Sequence, residues 1–227
     1  MKKTHSLFEN FLSSVGEKEY KIFDAVDEEN NEIFKDITVN IQESSNTLII
    51  YGENCSGKSL FTNILEIIAR DDGFAVRSAS IKNRTKAGME RALVVGDDSE
   101  QSTGETSVSF AIKSLKSTQK FDENALSILD EPDIGLSDYY AGAFGKLIGE
   151  FSNKFEVNKG LVIISHSKKL MNAFLKESNK NISTLGINTT LSLEDWLKRE
   201  DVASIDELEN LMVQGHRKKI AIHKASL

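Results

Sequence analysis

The chain has 227 residues, of which 39% are hydrophobic and 28% are charged. These values are typical of one globular unit with a single substantial core and a small appendage. The net charge of −7 at pH 7 disfavours general binding to nucleic acid or to anionic membranes, so such binding would need a local basic patch.

The sequence predicts a cytoplasmic protein without a membrane segment of its own. No apolar run is long enough to span a bilayer, and Glu9 and Asn10 interrupt the first apolar stretch before a secretory core could form. The single cysteine, Cys55, excludes an internal disulfide and agrees with a reducing compartment.

Strand and helix signals then alternate along the chain. After a polar N-terminal segment, residues 20–26 and 33–41 predict two strands joined by an acidic turn, as an antiparallel hairpin. The apolar run 46–52 is typical of a buried parallel strand. Residues 59–70 predict a helix, and its apolar face would hold Leu60, Ile64, Ile67 and Ile68.

The second half of the chain continues this alternation. Residues 74–80 are expected to be extended, and 91–96, 125–130 and 160–165 are buried-strand candidates. Between the last two strands a helical stripe is formed by Tyr140, Ala143, Phe144, Leu147, Ile148 and Phe151. The order predicts an α/β fold with a mainly parallel sheet flanked by helices and an N-terminal antiparallel β hairpin.

The segment GENCSGKS, Gly52 to Ser59, matches the phosphate-loop pattern G-x-x-x-x-G-K-[ST] between a predicted strand and a predicted helix. Glycines allow the backbone N–H groups to converge on phosphate oxygens, and the helix N-terminus favours negative charge. We expect Lys58 to bridge the β- and γ-phosphates and Ser59 to ligate Mg²⁺. An accidental glycine-rich turn is the alternative. The nucleotide-binding residues predicted here are Gly52, Asn54, Cys55, Ser56, Gly57, Lys58, Ser59 and Leu60.

The strand 125–130 ends in Asp130, and Glu131 follows it, which puts two carboxylates at the sheet edge where the phosphate loop also ends. Asp130 can hold the metal through water, and Glu131 can take a proton from an attacking water. The alternative is a turn that merely ends the strand, which Asp and Pro favour.

With these residues the chain resembles the ABC-type (ATP-binding cassette) P-loop ATPase superfamily. Asp130, Glu131 and Pro132, followed by DIGLSD, resemble its Walker B motif and D-loop. VIISHSKK, residues 162–169, resembles its switch-histidine strand and puts His166 against the γ-phosphate. The resemblance implies ATP and Mg²⁺ as cofactors, Glu131, His166 and Lys58 as catalytic residues, and Ser59 and Asp130 at the metal. A histidine after a strand is otherwise often structural or solvated.

The tetrad Ser102-Thr103-Gly104-Glu105 lies where this family carries its signature motif, before a helix whose predicted apolar face includes Val108, Ala111, Ile112 and Leu115. A hydroxyl, a glycine and a helix N-terminus together can bind an anion. In the family this site holds the γ-phosphate of ATP bound by the other protomer, which implies a head-to-tail dimer with Ser102, Gly104 and Glu105 at its interface. A capped surface helix without a ligand is the alternative.

Ser102 follows Ser59 by only 43 residues. This interval is shorter than in transporter-type cassettes, which implies a reduced helical insertion, and it offers no assignable glutamine loop. The resemblance is closer to compact heads of DNA-repair, chromosome-maintenance, mismatch-repair and phage-defence ATPases, and spans Tyr20 to about Ile187. It implies a homodimer or heterodimer of heads with a protein partner, and nucleic acid is a further candidate. A transporter subunit and a non-hydrolysing assembly module stay open.

Residues 1–190 are predicted to form the ATPase domain, and 191–227 a C-terminal helical tail. Two helices are expected in the tail, beginning at Ser192 and at Ser204, the second with Glu207 in a capping box. The tail residues expected to pack on the domain are Trp196, Leu197, Leu208 and Leu211; a partner surface is the alternative. The basic residues at 216–219, with Lys82, Arg84 and Lys86, are expected to be solvated; a DNA groove across a dimer is the alternative.

Overall fold

A computed structural model of the chain describes residues 4–80 and 102–225. The strands in these ranges are β1 (Ile37–Asn40), β2 (Thr47–Tyr51), β3 (Ala75–Ala79), β4 (Ala125–Asp130), β5 (Lys159–Ile164) and β6 (Ile182–Ile187). They form one sheet in the order β1-β6-β2-β5-β4-β3. Only β1 runs antiparallel to its neighbour, β6; the other neighbouring strands run parallel. The α/β class and the mainly parallel sheet are therefore confirmed.

Helices cover both faces of this sheet. Those described are α1 (Thr4–Gly16), α2 (Lys58–Asp71), α3 (Thr103–Lys120), α4 (Asp138–Asn153), α5 (Lys168–Glu177), α6 (Leu193–Lys198) and α7 (Ile205–Ala225). A short 3-10 helix, Lys21–Asp24, precedes the sheet. No helix in the described part of the chain is long and apolar enough to cross a membrane.

The central strands confirm the predictions made from short apolar runs. Every residue of β2 and β5 is buried, because helices cover both faces of the sheet there. β5 pairs with β2 on one side and with β4 on the other. Since parallel strands end at the same edge, the loops after β2, β4 and β5 meet there.

The predicted N-terminal hairpin is wrong. Lys21–Asp24 forms a 3-10 helix, and the pairing described between the two segments is one isolated antiparallel bridge, Val26 with Glu32. The Asp27 carboxylate accepts hydrogen bonds from the Asn31 backbone and side chain at 2.8 and 3.1 Å. These bonds close the loop locally and leave no extended ladder, so β1 pairs with β6 instead.

Three elements were not predicted. The N-terminal segment, expected to be merely polar, contains the amphipathic helix α1, whose buried side chains are Leu7, Phe8, Phe11, Leu12 and Val15. β6 lies beside β2 in the sheet, and α5 buries Leu170, Met171 and Phe174 in the hydrophobic cluster on one face of the sheet. The predicted strand 91–96 and the basic residues Lys82, Arg84 and Lys86 lie outside the described residues.

Two hydrophobic clusters lie on opposite faces of the sheet. α1 and α2 contribute to the first, and α3 to α6 contribute to the second. The predicted apolar face of α2 is partly wrong: Phe61, Leu65 and Ala69 are buried, whereas Ile67 is 60% exposed. In α4 the predicted Phe144 is buried, but Tyr140 is 58% exposed.

The tail packs only in part as expected. Trp196 and Leu197 of α6 are buried in the second cluster, whereas Leu208 at the start of α7 is 65% exposed. The capping box of α7 is confirmed, because the Ser204 N–H donates to Glu207 and the Glu207 N–H donates to Ser204.

Candidate active site

Three loops meet at the carboxyl edge of the parallel strands. The Gly52–Ser59 loop follows β2 and runs into α2; Glu131 follows β4; His166 follows β5. Together they line a cavity of about 350 Å³. The described structure thus brings together the predicted residues Asn54, Cys55, Ser56, Gly57, Lys58, Ser59, Leu60, Asp130, Glu131 and His166.

Steric constraints explain why glycine occupies positions 52 and 57 of the Gly52–Ser59 loop. Gly57 has φ +109°, and a Cβ there would lie 2.5 Å from the Phe34 ring. Gly52 has φ +142°, and a Cβ there would collide with the Ile187 carbonyl oxygen. Both conformations favour glycine and allow the chain to turn tightly from β2 into α2. The N-terminus of α2, which favours negative charge, therefore lies at the cavity, where Lys58, Ser59 and Leu60 line it.

Lys58 is buried at the base of this cavity. Its Nζ donates hydrogen bonds to the carbonyl oxygens of Gly52 at 2.9 Å and Glu53 at 2.7 Å. Burial lowers the pKa of Lys58 to about 8, against the opposing effect of the Glu131, Glu53 and Asp130 carboxylates. Among the described residues its hydrogen-bond acceptors are carbonyl oxygens, so this buried ammonium is well placed to bind an anionic ligand.

The buried hydroxyl of Ser56 is a second, independent indication that this cavity binds a polar ligand. Its side chain is 2% exposed, and its hydroxyl has no hydrogen-bond partner among the described residues. Buried hydroxyls are normally satisfied. A phosphate oxygen in the cavity would satisfy this one, so the Gly52–Ser59 loop fits an anionic phosphate ligand.

Glu131 is held in an unusual backbone conformation. Its φ is +50°, in the left-handed region that non-glycine residues rarely adopt. The Glu131 N–H donates to the Ile164 carbonyl oxygen at 2.8 Å, which ties this strained residue to the end of β5. A residue with a strained backbone persists only where the surrounding structure holds it in place, and such residues cluster at functional sites.

His166 lies beside Glu131, with Nε2 and Oε1 3.6 Å apart. Burial, and then the positive charge of Lys58, lower the pKa of His166. The imidazole is therefore neutral at pH 7 and carries one N–H donor. This arrangement pairs an acceptor carboxylate with a neutral donor on one side of the cavity.

The predicted metal ligands, Ser59 and Asp130, also line the cavity. In the described ranges no group of three or more His, Cys, Asp or Glu side chains could hold a metal ion by itself. One carboxylate and one hydroxyl fit Mg²⁺ whose remaining ligands are phosphate oxygens and water, which is its usual mode with nucleotides.

Ser102, Gly104 and Glu105 lie elsewhere, along a groove of about 990 Å³ between α3 and α4. Ser102 and Glu105 form a capping box: the Ser102 N–H donates to the Glu105 carboxylate at 2.8 Å, and Ser102 Oγ accepts from the Glu105 N–H at 3.4 Å. Gly104 touches the loop after β4, since a Cβ there would lie 2.6 Å from the Gly135 carbonyl oxygen. In the described part of the chain, this groove and the cavity of Lys58 have no lining residue in common.

Several contacts to the Gly52–Ser59 loop were not predicted. The Asn188 side chain donates to the Ser56 carbonyl oxygen at 3.1 Å. The Glu53 carboxylate accepts from Trp196 Nε1 and from Arg199 Nη1, each at 3.0 Å. No local pattern marks these residues, because each becomes a neighbour of the loop only through the tertiary fold.

Comparison of the chain with protein-family models, curated proteins and solved structures found no match.

Proposed function

We propose that the protein is an ABC-type P-loop ATPase that binds ATP with Mg²⁺ and hydrolyses it. The supporting observation is the convergence of the Gly52–Ser59 loop, the strained Glu131 and the neutral His166 on one cavity, with the buried Ser56 hydroxyl lacking a partner. This arrangement combines a phosphate cradle, a base and a hydrogen-bond donor.

Each residue would have a distinct role in phosphoryl transfer to water. Lys58 and the N–H groups at the start of α2 would bind the β- and γ-phosphates and stabilise their charge. Glu131 would accept a proton from the attacking water, and His166 would donate its N–H to the γ-phosphate. Bound Mg²⁺, held by Ser59 and through water by Asp130, would neutralise negative charge on the phosphates.

We further propose that a second copy or a related head completes the site. Ser102, Gly104 and Glu105 line a different groove from Lys58. A head-to-tail dimer would bring Ser102 and the N-terminus of α3 to the γ-phosphate held by the partner. The Ser102 hydroxyl, which caps α3 together with Glu105, would donate its hydrogen to a phosphate oxygen there. Hydrolysis would then separate the heads and act on a partner protein or a nucleic-acid complex.

ATP binding and turnover by Glu131→Gln and Lys58→Ala test this proposal. We expect Glu131→Gln to bind ATP normally and to lose about 100-fold or more in kcat, the usual contribution of a general base. Lys58→Ala should lose ATP binding. Glu150→Gln, which changes an exposed carboxylate on α4, is the matched control and should hydrolyse ATP at the wild-type rate. Wild-type turnover by Glu131→Gln would refute the base assignment, and failure of the wild-type protein to bind ATP would refute the function.

A further inference from the structure

The C-terminal half of α7 packs against the Gly52–Ser59 loop. Gly215 allows this approach, since a Cβ there would lie 3.2 Å from Cys55 Sγ. Ala221 is buried in the first hydrophobic cluster, and Ile222 packs against the same cluster. Arg217 lies 3.7 Å from Glu29. The helix is therefore anchored on both sides of Lys218.

These contacts place basic side chains at the candidate active site. Lys218 and Lys219 line the same cavity as Lys58, and Lys218 Nζ donates to the Cys55 carbonyl oxygen at 3.0 Å. The sequence alone favoured solvated surface for both. The tertiary fold instead brings them to the mouth of the Gly52–Ser59 loop.

The described partner of the half-buried Lys218 ammonium is a carbonyl oxygen and not a carboxylate. Burial lowers its pKa, and among the described residues no carboxylate forms an ion pair with Lys218 or Lys219. A carbonyl oxygen compensates only part of the cost of withdrawing a charge from water. An anion in the adjacent cavity would compensate it better, through a charge-assisted hydrogen bond.

We propose that Lys218, together with Lys219, binds a phosphate of the nucleotide held by the Gly52–Ser59 loop, so that α7 closes this site from within the same chain. The inference rests on the proposed nucleotide site and adds a binding element from the tail. Lys218 would exchange the Cys55 carbonyl oxygen for a phosphate oxygen, while Ala221 and Ile222 keep the helix in place.

Titration of Mg-ATP into the wild-type protein and into Lys218→Met tests the inference, because methionine keeps the aliphatic stem and removes the charge. We expect Kd to rise roughly 10-fold to 100-fold, the effect of losing one charge-assisted hydrogen bond. The nucleotide-free variant should unfold at the wild-type temperature. Lys218→Arg should retain most of the affinity. Lys224→Ala, at an exposed position of the same helix, is the matched control and should bind as the wild type does.

The outcomes separate this inference from the proposed function. If the wild-type protein binds ATP and Lys58→Ala does not, but Lys218→Met binds with unchanged or higher affinity, the inference is wrong and the nucleotide site stands. A higher affinity of Lys218→Met for ATP would show that Lys218 on α7 obstructs nucleotide binding. If the wild-type protein does not bind ATP, both are wrong.

Discussion

Nucleotide binding should take up a proton at alkaline pH, because Lys58 is buried. In the free protein burial lowers the pKa of Lys58 to about 8. Phosphate charges beside the ammonium would raise this pKa above its ordinary value, so the bound state holds more protons in the window above pH 8. At pH 9 roughly nine in ten free molecules would carry neutral Lys58, and at pH 7 roughly one in ten.

The size of the proton uptake and the change in affinity both follow from those fractions. Binding should take up about 0.9 proton at pH 9 and about 0.1 at pH 7, and the affinity should fall about 10-fold between these values. Calorimetric titration of Mg-ATP at each pH, in buffers with different ionisation enthalpies, measures the uptake. Because burial also lowers the pKa of Lys218, Lys218→Met is the control and should retain most of the uptake. Negligible uptake at pH 9 with unchanged affinity would refute the assignment of Lys58 as the buried phosphate ligand.

Three further predictions concern contacts around the site. Cys55 lines the cavity, so a Mg-ATP concentration of ten times Kd should slow its alkylation about 10-fold by occupancy; an unchanged rate would place the nucleotide elsewhere. Gly104→Ala should lower the unfolding free energy in urea by about 1–3 kcal/mol because its Cβ would meet the Gly135 backbone, whereas Gly142→Ala, with open space around its Cβ, should be neutral or stabilising. Trp196→Phe removes the hydrogen bond to Glu53 but keeps an aromatic ring, and should cost about 1–2 kcal/mol in the same assay; a cost near zero would show that this bond does not stabilise the fold.

Local patterns predicted the central part of the fold. β2, β4 and β5 are mostly apolar because both of their faces are buried, and such runs can be recognised without tertiary information. The same strands end at the candidate active site, so the positions of Lys58, Glu131 and His166 follow from their order along the chain. Their shared cavity agrees with that prediction.

Elements that depend on tertiary packing were predicted poorly. β6 has the sequence ISTLGI, which lacks the continuous apolar run of a buried strand, yet it is paired on both sides. The segment before β1 has strand-like composition, but the Asp27 side chain closes a local turn there. The position of Lys218 at the Gly52–Ser59 loop depends on how α7 returns to the sheet edge, which no pattern within α7 specifies.

The spacing of the apolar residues in α1 is itself a helical signal. Leu7, Phe8, Phe11, Leu12 and Val15 recur with the periodicity of a helix and are all buried. A helical reading of this stretch would have corrected the expectation of a merely polar N-terminal segment.

The central claim is that two heads close around ATP, since Ser102 and Lys58 line different cavities of one chain. Sedimentation velocity of Glu131→Gln with saturating Mg-ATP tests it most directly. We expect a dimer with Mg-ATP and a monomer without it, and Lys58→Ala should stay monomeric in both conditions. A Glu131→Gln protein that binds Mg-ATP and remains strictly monomeric at micromolar concentrations would contradict this account.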